Sequence, residues 1–180
     1  RGVSFGDIEV VDPGSLTRCG IPSCGFATTR QFFSLCQEVG LDPEKYILAR
    51  PDTGYANGIR FTIRGHIFSI DKPAFIRDLL EGTAVNSSPG DMAADRIIDA
   101  TGIARAYIGK YEHDVLHPCI QKKVEFPHPP ALAEYPHHVG YSWVIPLEGN
   151  SAHVGIGSNT YNSEAMKEVV ESLARGAQTI

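Results

Sequence analysis

The chain has 180 residues, 42% of them hydrophobic, enough for one folded unit with a real core and unlike a disordered chain. Its net charge of -5, from 16 Lys and Arg against 21 Asp and Glu, leaves no basic face for a phosphate backbone and speaks against nucleic acid as a partner. No apolar run approaches the roughly 18 residues of a membrane span, the N-terminal RGVSFGDIEV lacks a signal-peptide core, and four cysteines (Cys19, Cys24, Cys36, Cys119) are too few for a disulfide scaffold, so the chain reads as cytoplasmic with reduced thiols.

In chain order, DIEVVDPGS reads as a short buried strand closed by Asp12 and the turn pair Pro13-Gly14. Phe32, Phe33, Leu35 and Val39 recur at helical spacing and predict a helix within Thr28 to Val39, with Thr28 or Thr29 as N-cap and Gly40 as stop. GIRFTIRGHIFSI alternates around Arg64-Gly65, which predicts an antiparallel hairpin within residues 58–70. Asp71 caps a second helix with Pro73 in its first turn, the stripe Phe75, Ile76, Leu79, Leu80, and a stop at Gly82. ADRIIDATG predicts another buried strand, Arg96 to Asp99, before a small-residue turn. Strands are expected at Ile120 to Phe126, Tyr141 to Leu147 and Ala152 to Ile156, with a last helix from Ser163 to about Arg175. The proline-rich FPHPPALAEYPHH reads as a surface connection, with His137-His138 beside Pro136 as a solvated loop. Mixed order of this kind indicates an α/β or α+β architecture.

The sequon Asn86-Ser87-Ser88 is read as chance without an export signal. His113, His117 and Cys119, and the pair Cys19 and Cys24, fit no common zinc spacing, so no metal is expected.

Three stretches can carry chemistry. Asp12 ends the first strand, where dinucleotide-binding folds place an acid on the adenosine ribose about 20 residues after a glycine-rich turn. Only eleven residues precede Asp12, so that turn is expected outside the chain; the alternative is that Asp12 merely opens an Asp-Pro-Gly turn. In IIDATG, an acid delivered into Ala-Thr-Gly lets backbone approach a ligand closely. TRCGIPSCG and the later pair GYSWVIP and AHVGIG complete the set.

In this order the stretches resemble the geranylgeranyl reductase family of FAD-dependent oxidoreductases. Cys19-Gly20 matches the pair that in that family lies beside the flavin ring, and Asp99-Ala100-Thr101-Gly102 the later nucleotide-contacting turn, with Arg105 near the pyrophosphate. Tyr141, Trp143 and Pro146 match the family's YxWxFP motif, with Ile145 in place of phenylalanine, and IDKPAFIRDLL matches a strand-into-helix element, with Lys72 where many relatives carry arginine.

The resemblance implies a partial FAD-binding Rossmann-like domain over 1–115 and a partial antiparallel substrate-binding sheet with a helix over 116–180. It further implies reduction of isoprenoid double bonds of lipid or chlorophyll precursors, with FAD as cofactor and NAD(P)H or ferredoxin as donor. Cys19 would be the catalytic group beside the ring, the alternative being a small packing residue there. Asp12, Cys19, Gly20, Asp99, Ala100, Thr101, Gly102 and Arg105 would hold the cofactor, and Tyr141, Trp143 and Pro146 the apolar isoprenoid; peripheral membrane contact is expected of the full-length protein. The later Gly-Asp motif is missing and the stretch between Gly82 and Asp99 is short, which suggests an internal piece of a larger product. The rival readings are a flavin monooxygenase or halogenase on the same scaffold, and a non-catalytic remnant acting as a binding module.

Overall fold

The computed structural model describes residues 8–12, 27–88, 94–100, 105, 108–109, 111–113 and 115–180. Cα packing divides the chain into two units: one comprises Ser23–Phe75 and Leu116–Ile180, the other the described residues within 1–22 and 76–115. The fold is mixed α+β.

The larger unit is built on a seven-stranded mixed sheet. Its strands are β4 (Thr53–Ala56), β5 (Ile59–Thr62), β8 (Cys119–Glu125), β9 (Leu132–His137), β10 (Gly140–Pro146), β11 (Ser151–Ser158) and β12 (Gln178–Thr179), in the order β12-β8-β11-β10-β9-β4-β5. All neighbours are antiparallel except β4 and β9. The sheet therefore draws strands from both sides of position 115. A three-stranded sheet, β2 (Ala27–Thr29), β6 (Ile67–Ile70) and β3 (Ile47–Ala49), carries α1 (Gln31–Glu38). In the smaller unit β1 (Val10–Val11) pairs in parallel with β7 (Val85–Asn86).

The helices form where caps and stripes predict them, with one exception. Asp71 accepts the Ala74 amide at 3.0 Å and starts α2 (Lys72–Leu79), and Asn162 accepts the Ala165 amide at 2.8 Å and starts α3 (Ser163–Leu173). For α1 the cap position falls to Arg30, with no side-chain bond, because Thr28 and Thr29 are taken up by β2 pairing with β6. Gly40, at φ +75, ends α1, and the Leu41 amide closes on the Cys36 carbonyl at 2.8 Å. Among the described residues no helix is long and apolar enough to cross a membrane.

Strand pairing departs from the sequence reading at three places. The hairpin within residues 58–70 is not formed. Asn57 (φ +50) and Gly58 (φ +77) instead make a two-residue turn joining β4 to β5, while β6 lies between β2 and β3 with both edges occupied. The proline-rich connection contains β9, an inner strand. The Glu134 carbonyl accepts from Asn57 on the β4 side, so Pro136, two positions on, turns its N toward that side past the last paired residue, where no amide is needed. Arg96 to Asp99 is not a strand: Ile97 and Ile98 are exposed, and the pairing edge that a strand requires is supplied to β1 by β7.

Alternation along the long strands divides the large sheet into two faces. Val124, Ala133, Val144, Ala152, Val154 and Ile156 pack with Met166, Val170 and Ala174 of α3 as the main core. A second core gathers Phe32, Cys36, Tyr46 and Ile70, with Phe75 edge-on to Phe32 at 5.1 Å and to Tyr46 at 5.4 Å. Met166, 3% exposed, links α3 to the sheet, so Met166→Ala is expected to lower unfolding free energy by about 2–5 kcal/mol. The exposed Glu168→Ala on the same helix should change it by less than about 0.5 kcal/mol. Urea denaturation of both variants checks this.

Candidate functional site

On the face of the large sheet opposite α3, the pairing register aligns three rows of side chains. Tyr141 lies opposite Gly157, which lies opposite Cys119; Trp143 opposite Gly155, then Gln121; Ile145 opposite His153, then Lys123. Directly paired residues share a face, so each row crosses β10, β11 and β8 on one side.

The two glycines shape this surface. A Cβ at Gly155 would stand 2.5 Å from Cζ2 and 2.6 Å from Cε2 of Trp143, so the indole lies flat on β11 at a distance that only a hydrogen permits. A Cβ at Gly157 would stand 2.9 Å from the Cys119 Sγ. From its place over β11, the indole Nε1–H donates to Gln121 Oε1 at 3.1 Å. Tyr141 stands beside it, ring centroids 5.4 Å apart and tilted by 49°, and is 51% exposed. The result is a half-open aromatic step on a floor without side chains. Phe61 on β5 repeats the device, its Cζ 2.6 Å from where a Gly54 Cβ would be.

Pro146, expected with the aromatic pair, is on the other face: it has the parity of Ser142 and Val144 and is buried with them. His137 is not in a loop but ends β9, where its Nε2 meets Ser142 Oγ at 3.0 Å and its ring packs on Tyr161 at 5.2 Å. His153, 2% exposed, sits one row from Trp143; burial pushes its imidazole below the usual histidine range, and the Lys123 charge adds to that.

The residues expected at a nucleotide are spread within the smaller unit. Asp12 is exposed at the carboxyl end of β1, its amide donating to the Asn86 carbonyl at 2.9 Å. The half-buried Asp99 accepts the Ile108 amide at 3.1 Å, and Ala100 follows it outside any strand. Arg105 takes the left-handed conformation (φ +41), rare for a residue with a side chain, with its guanidinium over the Tyr111 ring at 4.5 Å. Cys19, Gly20, Thr101 and Gly102 lie outside the described residues.

Sequence reasoning placed Tyr141, Trp143 and both glycines in one hairpin, as the register shows, and it did not name Gln121 or His153, which share that face. The turn after Pro146 makes the Trp143–Gly155 match readable along one hairpin. Gln121 joins through a hydrogen bond to a residue 22 positions away, which no local pattern reports.

No protein-family model matches the sequence, and no curated protein does. Among solved structures, the chain is similar to a geranylgeranyl bacteriochlorophyll reductase-like protein from Thermoplasma acidophilum, with a TM-score of 0.69 and 17% sequence identity. The match covers 97% of this chain and 64% of that protein, so the chain spans less than two thirds of its neighbour. At this identity the likeness is one of fold: the chain adopts the mixed α+β fold of a reductase-like protein.

Two outcomes follow from the site. Gly155→Ala should expel the indole from β11, red-shifting the emission of the single tryptophan and costing about 1–3 kcal/mol in thermal unfolding. For His153 the folded pKa lies below the unfolded value of about 6.5, so the unfolded chain binds the extra proton and stability, complete above that pH, falls as pH drops below it. The melting temperature should therefore decline between about pH 7 and pH 5, and His153→Gln should flatten that stretch of the profile.

Proposed function

We propose that the chain forms part of an FAD-dependent oxidoreductase that saturates carbon–carbon double bonds of isoprenoid chains. The observation that carries the reading is the aromatic step: Tyr141 and Trp143 side by side over Gly155 and Gly157, on the sheet face away from α3. A branched, flat, unsaturated chain gains most from rings that present their faces without side chains crowding the floor between them. The reductase-like fold of the solved neighbour and the ordered resemblance of the sequence motifs support the same conclusion.

In this reading a flavin nucleotide would be held by residues of the smaller unit. Asp12 is exposed at the carboxyl end of a strand paired in parallel, where a carboxylate accepts from ribose hydroxyls in open α/β folds. Asp99, Ala100 and the turn through Thr101 and Gly102 would bring backbone close to the nucleotide, and Arg105 would place positive charge near the pyrophosphate. When bound and reduced by NAD(P)H or ferredoxin, FAD supplies the hydride that no side chain can. This chain's residues do the rest. Tyr141 and Trp143 would hold the alkene's chain and exclude water from it, and Cys19 and Gly20 would border the ring, where the Cys19 thiol would supply the proton that goes to the second carbon.

The test is turnover of a geranylgeranyl lipid, in parallel without and with dioxygen, by the flavin-loaded gene product that contains this chain, followed by mass spectrometry. Products should gain two hydrogens per double bond. A product gaining one oxygen would overturn the reductase in favour of a monooxygenase, and an unchanged lipid with reduced flavin present would overturn both. Trp143→Ala should weaken substrate binding about fivefold to tenfold with little change in turnover at saturation, since wall contacts act equally in ground and transition states. Cys19→Ala should slow turnover while flavin content stays the same.

A further inference from the structure

We infer that Gln121 is a positioning residue for the apolar-chain site: it selects the one orientation of the Trp143 indole that makes the sheet face a flat floor. The inference rests on the reading of that face as the isoprenoid site. The geometry supplies the argument. Trp143, Gly155 and Gln121 are consecutive members of one cross-strand row, and strands lie about 4.8 Å apart, so an indole leaving β10 lies over β11, where the Gln121 side chain reaches it from β8. Gly155 makes that crossing sterically allowed, but it is indifferent to which edge of the ring leads, since a hydrogen offers no partner to either edge.

The choice is made at the far end. With Nε1 pointing toward β8, the indole N–H meets Gln121 Oε1 at 3.1 Å; turned over, it would direct that donor away from Gln121 and leave it to find water beneath the ring. Gln121 is half-buried, so the bond forms where water competes poorly. Anchored in this way, the ring stands beside Tyr141 and in line with Ile145, the alternate residues of β10, and the strip from 141 to 145 runs about 13 Å, room for several isoprene units. Gln121 touches no substrate in this scheme; it acts through Trp143.

The single tryptophan makes the test direct, because its indole N–H yields one cross-peak in a proton–nitrogen correlation spectrum. Gln121→Leu should shift that peak toward the position of a free indole and speed its exchange with solvent, and Gln121→Glu, which keeps an acceptor, should restore it. Geranylgeraniol is then titrated into each variant by following Trp143 emission. The dissociation constant should rise about fivefold in Gln121→Leu and return to within about twofold of the parent in Gln121→Glu. Melting curves of the three proteins verify that each is folded. An indole peak that does not move in Gln121→Leu, or one that moves while the affinity for geranylgeraniol stays the same, would overturn the role of Gln121 and leave the isoprenoid reading intact. If the parent chain itself fails to respond to geranylgeraniol, the reading of the face falls, and the positioning role with it.

Discussion

An indole can lie flat on a β-sheet only where the next strand has no side chain under it, and the candidate site depends on that condition being met at Gly155. The cross-strand register opposes Trp143 to Gly155 and Tyr141 to Gly157, so the two largest rings of β10 face the two positions of β11 that carry only hydrogen. A slip of one residue would turn both aromatics into the α3 core and both glycines out from under them. The seven consecutive pairs between β10 and β11 hold that register, and the turn through Glu148, Gly149 and Asn150 closes it with the Leu147 amide on the Ser151 carbonyl at 2.8 Å.

The same alternation builds both faces from one sequence. Positions 142, 144 and 146 of β10 go to the core with Val154, Ile156, Met166 and Val170, and positions 141, 143 and 145 go to the opposite face. Fully burying an aliphatic side chain contributes about 1.5–3 kcal/mol, and the α3 face gathers most of those side chains, while the opposite face keeps half-exposed aromatics. Lys122, on the core side of β8, reaches past the edge of the packing to pair with Glu171 of α3, while its neighbour Lys123 lies on the other face beside His153.

Local rules were legible wherever a single segment carries them. The cap Asp71, the stop at Gly40 and the alternation of β10 are properties of adjacent residues, and each appears as the pattern predicts. Competition between segments was not legible. The alternating run after Gly58 reads as a hairpin by itself, yet Asn57-Gly58 just before it makes the tighter turn and claims β5 for β4. The segment with Pro136 looks unfit for a sheet until β4 proves to end before the position where the missing amide would matter.

From the sequence alone came the mixed α+β class, the three helices, the aromatic pair with its glycine floor, and the acids Asp12 and Asp99 as candidates for a nucleotide. The tertiary structure alone decided that Pro146 faces the core, that His137 belongs to a strand, and that Gln121 and His153 share the face with Trp143. The physical reason is the range of the interactions. Caps and turns are bonds between near neighbours, whereas a row across β10, β11 and β8 joins residues 143, 155 and 121 through backbone ladders whose partners are selected by the packing of the whole unit.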